Sequence, residues 1–118
     1  MIVGTGIDLV ELERIESTLA RQARFYERVL TTKEQELFLQ LPKHRQIEFL
    51  AGRFAAKEAF SKAMGTGIGS ETSFQDVEVL PNDLNKPVAV SNIFHGNIHL
   101  SISHSKDYAI AQVILEKY

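Results

Sequence analysis

An α+β fold, with a mainly antiparallel sheet packed on a long central helix, is predicted by three features of the chain. An Ile- and Val-rich strand opens it, the longest helical pattern occupies its middle, and four strand-like runs gather in its last third. With 118 residues, 44% of them hydrophobic and 24% charged, the chain is expected to form one folded domain spanning 1–118, not a disordered segment. A domain of this size buries a modest share of its surface, so a large active site has to be shallow or shared between copies.

Residues 2–9 form the first expected strand. Alternation puts Val3, Thr5, Ile7 and Leu9 on one face and Gly4, Gly6 and Asp8 on the other, a face of bare backbone leading to one carboxylate. Residues 11–29 contain little to interrupt a helix. A second helix is expected from Thr32, facing Gln35 at capping-box spacing, to about Leu41. Pro42 breaks it and opens a third, about residues 43–64, which stops at the glycine-rich Gly65-Thr66-Gly67-Ile68-Gly69. The runs Phe74–Leu80, Val88–Val90, Ile98–Ser103 and Tyr108–Leu115 follow as strands between turn-forming residues.

Composition excludes several function classes. A net charge of −2 gives no global attraction to nucleic acid or an anionic membrane, and no apolar run is long enough to span a bilayer. The absence of cysteine removes disulfides, zinc–thiolate sites and thiol nucleophiles. The opening residues lack the basic region of a secretory signal, so a cytoplasmic location is expected.

The third helix carries the informative chemistry. Ile47, Leu50 and Phe54 cover one side, Phe49, Phe60 and Met64 another, and alanines most of the rest, the pattern of a buried helix. Arg53, Lys57, Glu58 and Lys62 nevertheless fall within it, and buried charges need partners, a metal or a ligand. Glu58 and Lys62, four apart, suit an ordinary intrahelical ion pair. Alternatively, Glu58 meets Asp8 as a second hard-oxygen ligand for Mg²⁺, with Lys57 and Lys62 supplying charge for substrate phosphates. Spacing permits this without requiring it.

Three segments, Gly4-Thr5-Gly6-Ile7-Asp8-Leu9, Phe54-Ala55-Ala56-Lys57-Glu58-Ala59-Phe60-Ser61-Lys62-Ala63 running into Gly65-Thr66-Gly67, and Ser101-Ile102-Ser103-His104-Ser105, together resemble the AcpS-type holo-acyl-carrier-protein synthases. Their order and spacing fit that family across essentially the whole chain. One departure is Leu84-Asn85-Lys86-Pro87, where the family often has glycine before the basic–proline pair; asparagine tolerates the positive φ such a turn needs. The resemblance implies a phosphopantetheinyl-transferase-like fold and Mg²⁺-dependent transfer of phosphopantetheine from coenzyme A to a serine of apo acyl carrier protein. The product is adenosine 3',5'-bisphosphate, and the setting fatty acid biosynthesis. It implies Asp8 and Glu58 as metal ligands, Lys62 as a catalytic, phosphate-contacting lysine, and Glu58 or a metal-bound water as the base. It further implies Arg45, Arg53, Ser61, Gly65 and His104 as coenzyme A contacts, and a homotrimer with sites between subunits.

A second constellation lies in residues 11–29. Arg14, Arg21, Arg24 and Arg28 would share an arc of about 80° on one unbroken helix. By itself this is a solvated face as readily as a docking stripe for an acidic protein. The resemblance favours docking of the acidic carrier by Arg14, Arg21, Gln22, Arg24, Phe25 and Arg28; a break near Gln22 would weaken the geometric argument. Four arginines in a net-acidic chain are a poor footprint for nucleic acid. The glycine-rich stretch after the long helix has the reverse context of a phosphate loop, and Ser103, His104 and Asp107 lack a nucleophile elbow. Competing readings are a noncatalytic adaptor that uses the arginine stripe and a small metal-dependent phosphohydrolase.

Overall fold

The computed structural model describes all residues, Met1–Tyr118, with element order β1 (Ile2–Glu11), α1 (Leu12–Arg21), α2 (Phe25–Val29), α3 (Thr32–Leu39), α4 (Lys43–Met64), β2 (Val77–Pro81), β3 (Pro87–Ser91), β4 (Asn97–His104) and β5 (Tyr108–Glu116). β5 lies between β1 and β4 in an antiparallel sheet, and β2 and β3 pair as a separate antiparallel hairpin. α4 crosses the inner face of the larger sheet. The predicted α+β fold with a long central helix is therefore the observed one.

Glycine explains how close that crossing is. A Cβ on Gly4 or Gly6 would overlap the carbonyl oxygen of Ala63 or Ala59, so strand and helix meet backbone to backbone. Ala55, Ala59, Ala63 and Phe60 of α4 pack with Ala109, Ala111, Val113 and Leu115 of β5 in one apolar cluster. Pro42 is the N-cap of α4, and Gly65 ends it in the left-handed conformation at φ 84°. Asn85 takes φ 65° in the β2–β3 turn, the conformation expected of it.

Three expectations need correction. The stretch 11–29 is two helices, because Gln22 leaves helical geometry at φ −132°, ψ 86° and the chain re-enters a helix at Phe25. The capping box belongs to Thr31 and Glu34, not Thr32 and Gln35: Thr31 N–H donates to Glu34 Oε1 at 2.7 Å and its hydroxyl accepts from Glu34 N–H. Residues Phe74–Asp76 are a 3₁₀ turn, and the strand begins only at Val77.

Glu34 has a second task. Lys57 and Glu34 are both 0% exposed and pair at 2.6 Å. Lys57 Nζ also donates to the carbonyls of Val29 and Phe74, and Glu34 Oε2 accepts from Val79 N–H. Burial pushes the Lys57 amine below its ordinary value, opposed chiefly by Glu34. Removing one partner of such a pair costs about 3–5 kcal/mol, because the other charge is left buried and alone.

Candidate active site

On the glycine face of β1, Asp8 follows Gly6 and falls beside the last turns of α4. Lys62 Nζ donates to Asp8 Oδ1 at 3.0 Å and to the Ile7 carbonyl at 3.1 Å. The i,i+4 partnership of Glu58 and Lys62 thus gives way to a bridge from Lys62 to the strand. Lys62 is 51% exposed and Asp8 only 15%, so the lysine closes over the carboxylate from the solvent side. Glu58 is raised above its ordinary value first by burial and then by the charge of Asp8, with Lys62 and Arg14 opposing. Asp8 therefore acts electrostatically on Glu58 although the two are remote in the chain.

That donor set fits a divalent cation. Repulsion from Asp8 on Glu58 is the strain that a shared positive ion relieves, and both donors are hard oxygens. No group of three or more His, Cys, Asp or Glu side chains is arranged to hold a metal ion by itself. A two-carboxylate site suits Mg²⁺, which is commonly held by one or two carboxylates while substrate phosphates and water complete its shell.

A cleft of about 520 Å³ lies elsewhere, between the first half of α4, the β2–β3 turn and the end of β4. Arg45, Arg53 and His104 line it together, with Phe49, Asn85 and Pro87. The Arg53 guanidinium stacks over the Phe49 ring at 3.9 Å, and its Nε is buried without a hydrogen-bond partner. Burial lowers Arg53 to about 10, which leaves it charged near neutral pH. Glu48 stands between Arg45 Nε at 3.6 Å and His104 Nδ1 at 3.8 Å. Two cations, an imidazole and an unpartnered guanidinium N–H suit an anion such as a phosphate.

The remaining sequence candidates fall into distinct places. Lys57 does not face substrate: its ammonium is enclosed by Glu34 and two carbonyls, which corrects its assignment as a phosphate contact. Ser61 is fully buried and its hydroxyl donates to the Glu58 carbonyl at 2.7 Å, a helix-terminal role within the subunit. Gly65 is exposed at the end of α4 with open space around it. Arg14, Arg21 and Arg28 are exposed, while Arg24 is bound to Glu27, which holds it above its ordinary value. Gln22, Arg24, Phe25 and Arg28 border one shallow surface cleft at the break between α1 and α2. Phe25 is half-buried and packs on Phe54 with ring centres 6.3 Å apart, so the expected single arginine arc becomes a bent surface. Arg14, at its near end, is close enough to act on Glu58.

Sequence reasoning missed Glu34, Glu48 and Phe49. Glu48 and Phe49 were within reach, since they lie three residues from Arg45 and four from Arg53 on one helix. Glu34 was not, because it is 23 residues from its partner.

Residues 4–113 match the model of the 4'-phosphopantetheinyl transferase superfamily. The chain belongs to that superfamily. Within it, this transferase-family chain is 56% identical over 117 residues to the holo-[acyl-carrier-protein] synthase of Geobacillus sp. (strain WCH70), covering 99% of the chain and 98% of that protein. The holo-(acyl-carrier-protein) synthase of Bacillus anthracis, solved in complex with CoA (3',5'-ADP), superposes with a TM-score of 0.94 at 53% identity, covering 100% of this chain and 99% of that one. The Helicobacter pylori holo-[acyl-carrier-protein] synthase in complex with coenzyme A gives 0.85 at 34% identity, covering 95% and 99%.

Proposed function

We propose that this transferase-family protein moves phosphopantetheine from coenzyme A to a serine of apo acyl carrier protein, releasing adenosine 3',5'-bisphosphate. The grouping of Asp8, Glu58 and Lys62 carries the reading: Lys62 of α4 binds Asp8 of β1, and the charge of Asp8 acts on Glu58 of the same mostly apolar helix. Relatives named for this activity, and one solved with coenzyme A, support it.

Asp8 and Glu58 are the residues to hold Mg²⁺, which when bound neutralises the pyrophosphate and makes its phosphorus a better electrophile. The carrier serine oxygen bonds to the pantetheine-side phosphorus in line with the bridging oxygen, whose P–O bond breaks as the nucleotide departs. Lys62, half-exposed beside Asp8, meets the charge that develops on the departing phosphate. Glu58, one of the two carboxylates there, is the residue to accept the serine proton. Arg45, Arg53 and His104 bind a phosphate of the nucleotide end. Arg14, Arg21 and Arg28, with Gln22, Arg24 and Phe25, form the surface for the acidic carrier. The proposal includes a homotrimer acting in the cytoplasm.

Incubation with coenzyme A, Mg²⁺ and apo acyl carrier protein, followed by mass spectrometry of the carrier, tests the reading. A gain of one phosphopantetheine is the expected result. Unmodified carrier that still binds would instead favour the adaptor, and coenzyme A cleaved without carrier modification would favour the hydrolase.

A further inference from the structure

The buried lysine of α4 touches more than its ion pair. Lys57 Nζ donates to Glu34 Oε1 at 2.6 Å, to the Val29 carbonyl at 2.7 Å and to the Phe74 carbonyl at 2.9 Å, so all three of its protons have acceptors. Val29 is the last residue of α2, the five-residue helix that bears Phe25 and Arg28. Lys57 immediately precedes Glu58. Gln75 Nε2 reaches the same helix end from outside, at 3.4 Å from the Glu27 carbonyl, 3.3 Å from that of Arg28 and 3.0 Å from that of Leu30.

We infer that Lys57, assisted by Gln75, is a positioning residue that fixes the carrier-docking segment α2 relative to the carboxylate pair. The inference rests on the transferase reading and adds a mechanical link within it. A helix of one and a half turns has no stability of its own, and its last carbonyls lack partners inside it. Those carbonyls are what Lys57 and Gln75 hold. An ammonium there also suits the negative end of the helix dipole. Because Lys57 and Glu58 are consecutive on α4, the rotation that seats the ammonium also sets the direction of the Glu58 carboxylate. The distance from docked carrier to reacting phosphorus thereby depends on this buried contact. In-line transfer is steep in that distance, with about 1 Å of misplacement costing on the order of 10²-fold.

The test uses the intact protein with Gln75→Ala and Lys57→Met, each verified as folded by circular dichroism below its melting temperature. Two quantities are measured: kcat/KM for apo acyl carrier protein at saturating coenzyme A, and calorimetric affinity for 3',5'-ADP. Loss of positioning lowers kcat/KM for the carrier by about 3–10-fold in Gln75→Ala and roughly 10–100-fold in Lys57→Met, with nucleotide affinity within about two-fold of wild type. A merely structural defect would not separate the two. Folded variants with wild-type carrier kinetics overturn the inference, as does nucleotide affinity that falls in parallel. Should Lys57→Met not fold, Gln75→Ala decides alone, since Gln75 is exposed and its loss leaves the buried pair intact. A wild-type protein that leaves the carrier unmodified would sink the transferase reading, a separate outcome.

Discussion

Glu58 is in tension with its own fold. Its folded-state pKa is raised above the ordinary 4.5, so the native protein holds that proton more tightly than the unfolded chain does. The stabilisation this represents is full below the ordinary value and is lost as pH rises through the raised one. Near neutral pH the ionised carboxylate therefore opposes the metal-free fold. Glu58→Gln is expected to abolish carrier modification while melting at a higher temperature than wild type in metal-free buffer near neutral pH. The gain should shrink as pH falls through the carboxylate range. Calorimetry across pH, beside the mass-spectrometric assay, reads both; normal turnover by the variant would refute the assignment of Glu58. The same logic shows what was legible at this scale. A carboxylate on a mostly apolar helix announces that it has a partner, and Asp8 was the available one on a glycine face. Lys57 announced the same need, but sequence does not say which side of a helix meets which neighbour, and its partner Glu34 lies beyond any local pattern.

At the scale of elements, α4 and the strands were legible because their signals are long: a helix bounded by Pro42 and Gly65, and strands with clear alternation. The misreadings concern short pieces decided by tertiary contact. Both Thr31–Glu34 and Thr32–Gln35 have capping-box spacing, and the choice falls to Glu34, the carboxylate that buried Lys57 binds. No glycine or proline marks the break at Gln22; Phe25 packing on Phe54 accompanies it. Two predictions belong here. Gly6→Ala places a methyl against the Ala59 carbonyl, so β1 must lift from α4 at a cost of about 1–3 kcal/mol. Activity should fall further than the stability loss explains, since Asp8 moves with the strand; denaturant titration and initial rates at a temperature where the variant is fully folded separate the two. Arg14 and Arg21 are exposed, and under the proposed docking role, which works through charge, Arg14→Glu with Arg21→Glu is expected to raise KM for the carrier by at least about ten-fold. KM for coenzyme A should change little, and added salt should weaken wild type more than the variant. Equal changes in both KM values would argue against a docking role.

The whole molecule poses a problem that one subunit does not solve. Arg53 and Glu58 are five residues apart on α4, about 140° around the helix, and Arg53 and Lys62 are on opposite sides of it. None of Asp8, Glu58 or Lys62 lines the cleft of Arg45, Arg53 and His104. The two halves expected to hold one coenzyme A molecule thus face apart. The outer face of the larger sheet is meanwhile apolar and open, with Ile7 56% and Leu9 60% exposed beside Ile110, which pairs with Leu9 in register. Covering such half-exposed side chains contributes about 1 kcal/mol each, a term that favours association. A cyclic trimer that buries this face and joins the carboxylates of one subunit to the arginine cleft of the next answers both observations. It predicts complementation. Glu58→Gln and Arg53→Ala trimers should each be inactive or nearly so, because every interface lacks one half. Unfolded together in equal amounts and refolded, they should regain about a quarter of wild-type activity, since about one interface in four then pairs an intact Glu58 with an intact Arg53. The comparison is the same two proteins refolded apart and mixed afterwards, with ultracentrifugation reporting the trimer. Recovery only after co-refolding requires a site shared between subunits, whereas no recovery from trimers that demonstrably exchange would place the whole site within one chain.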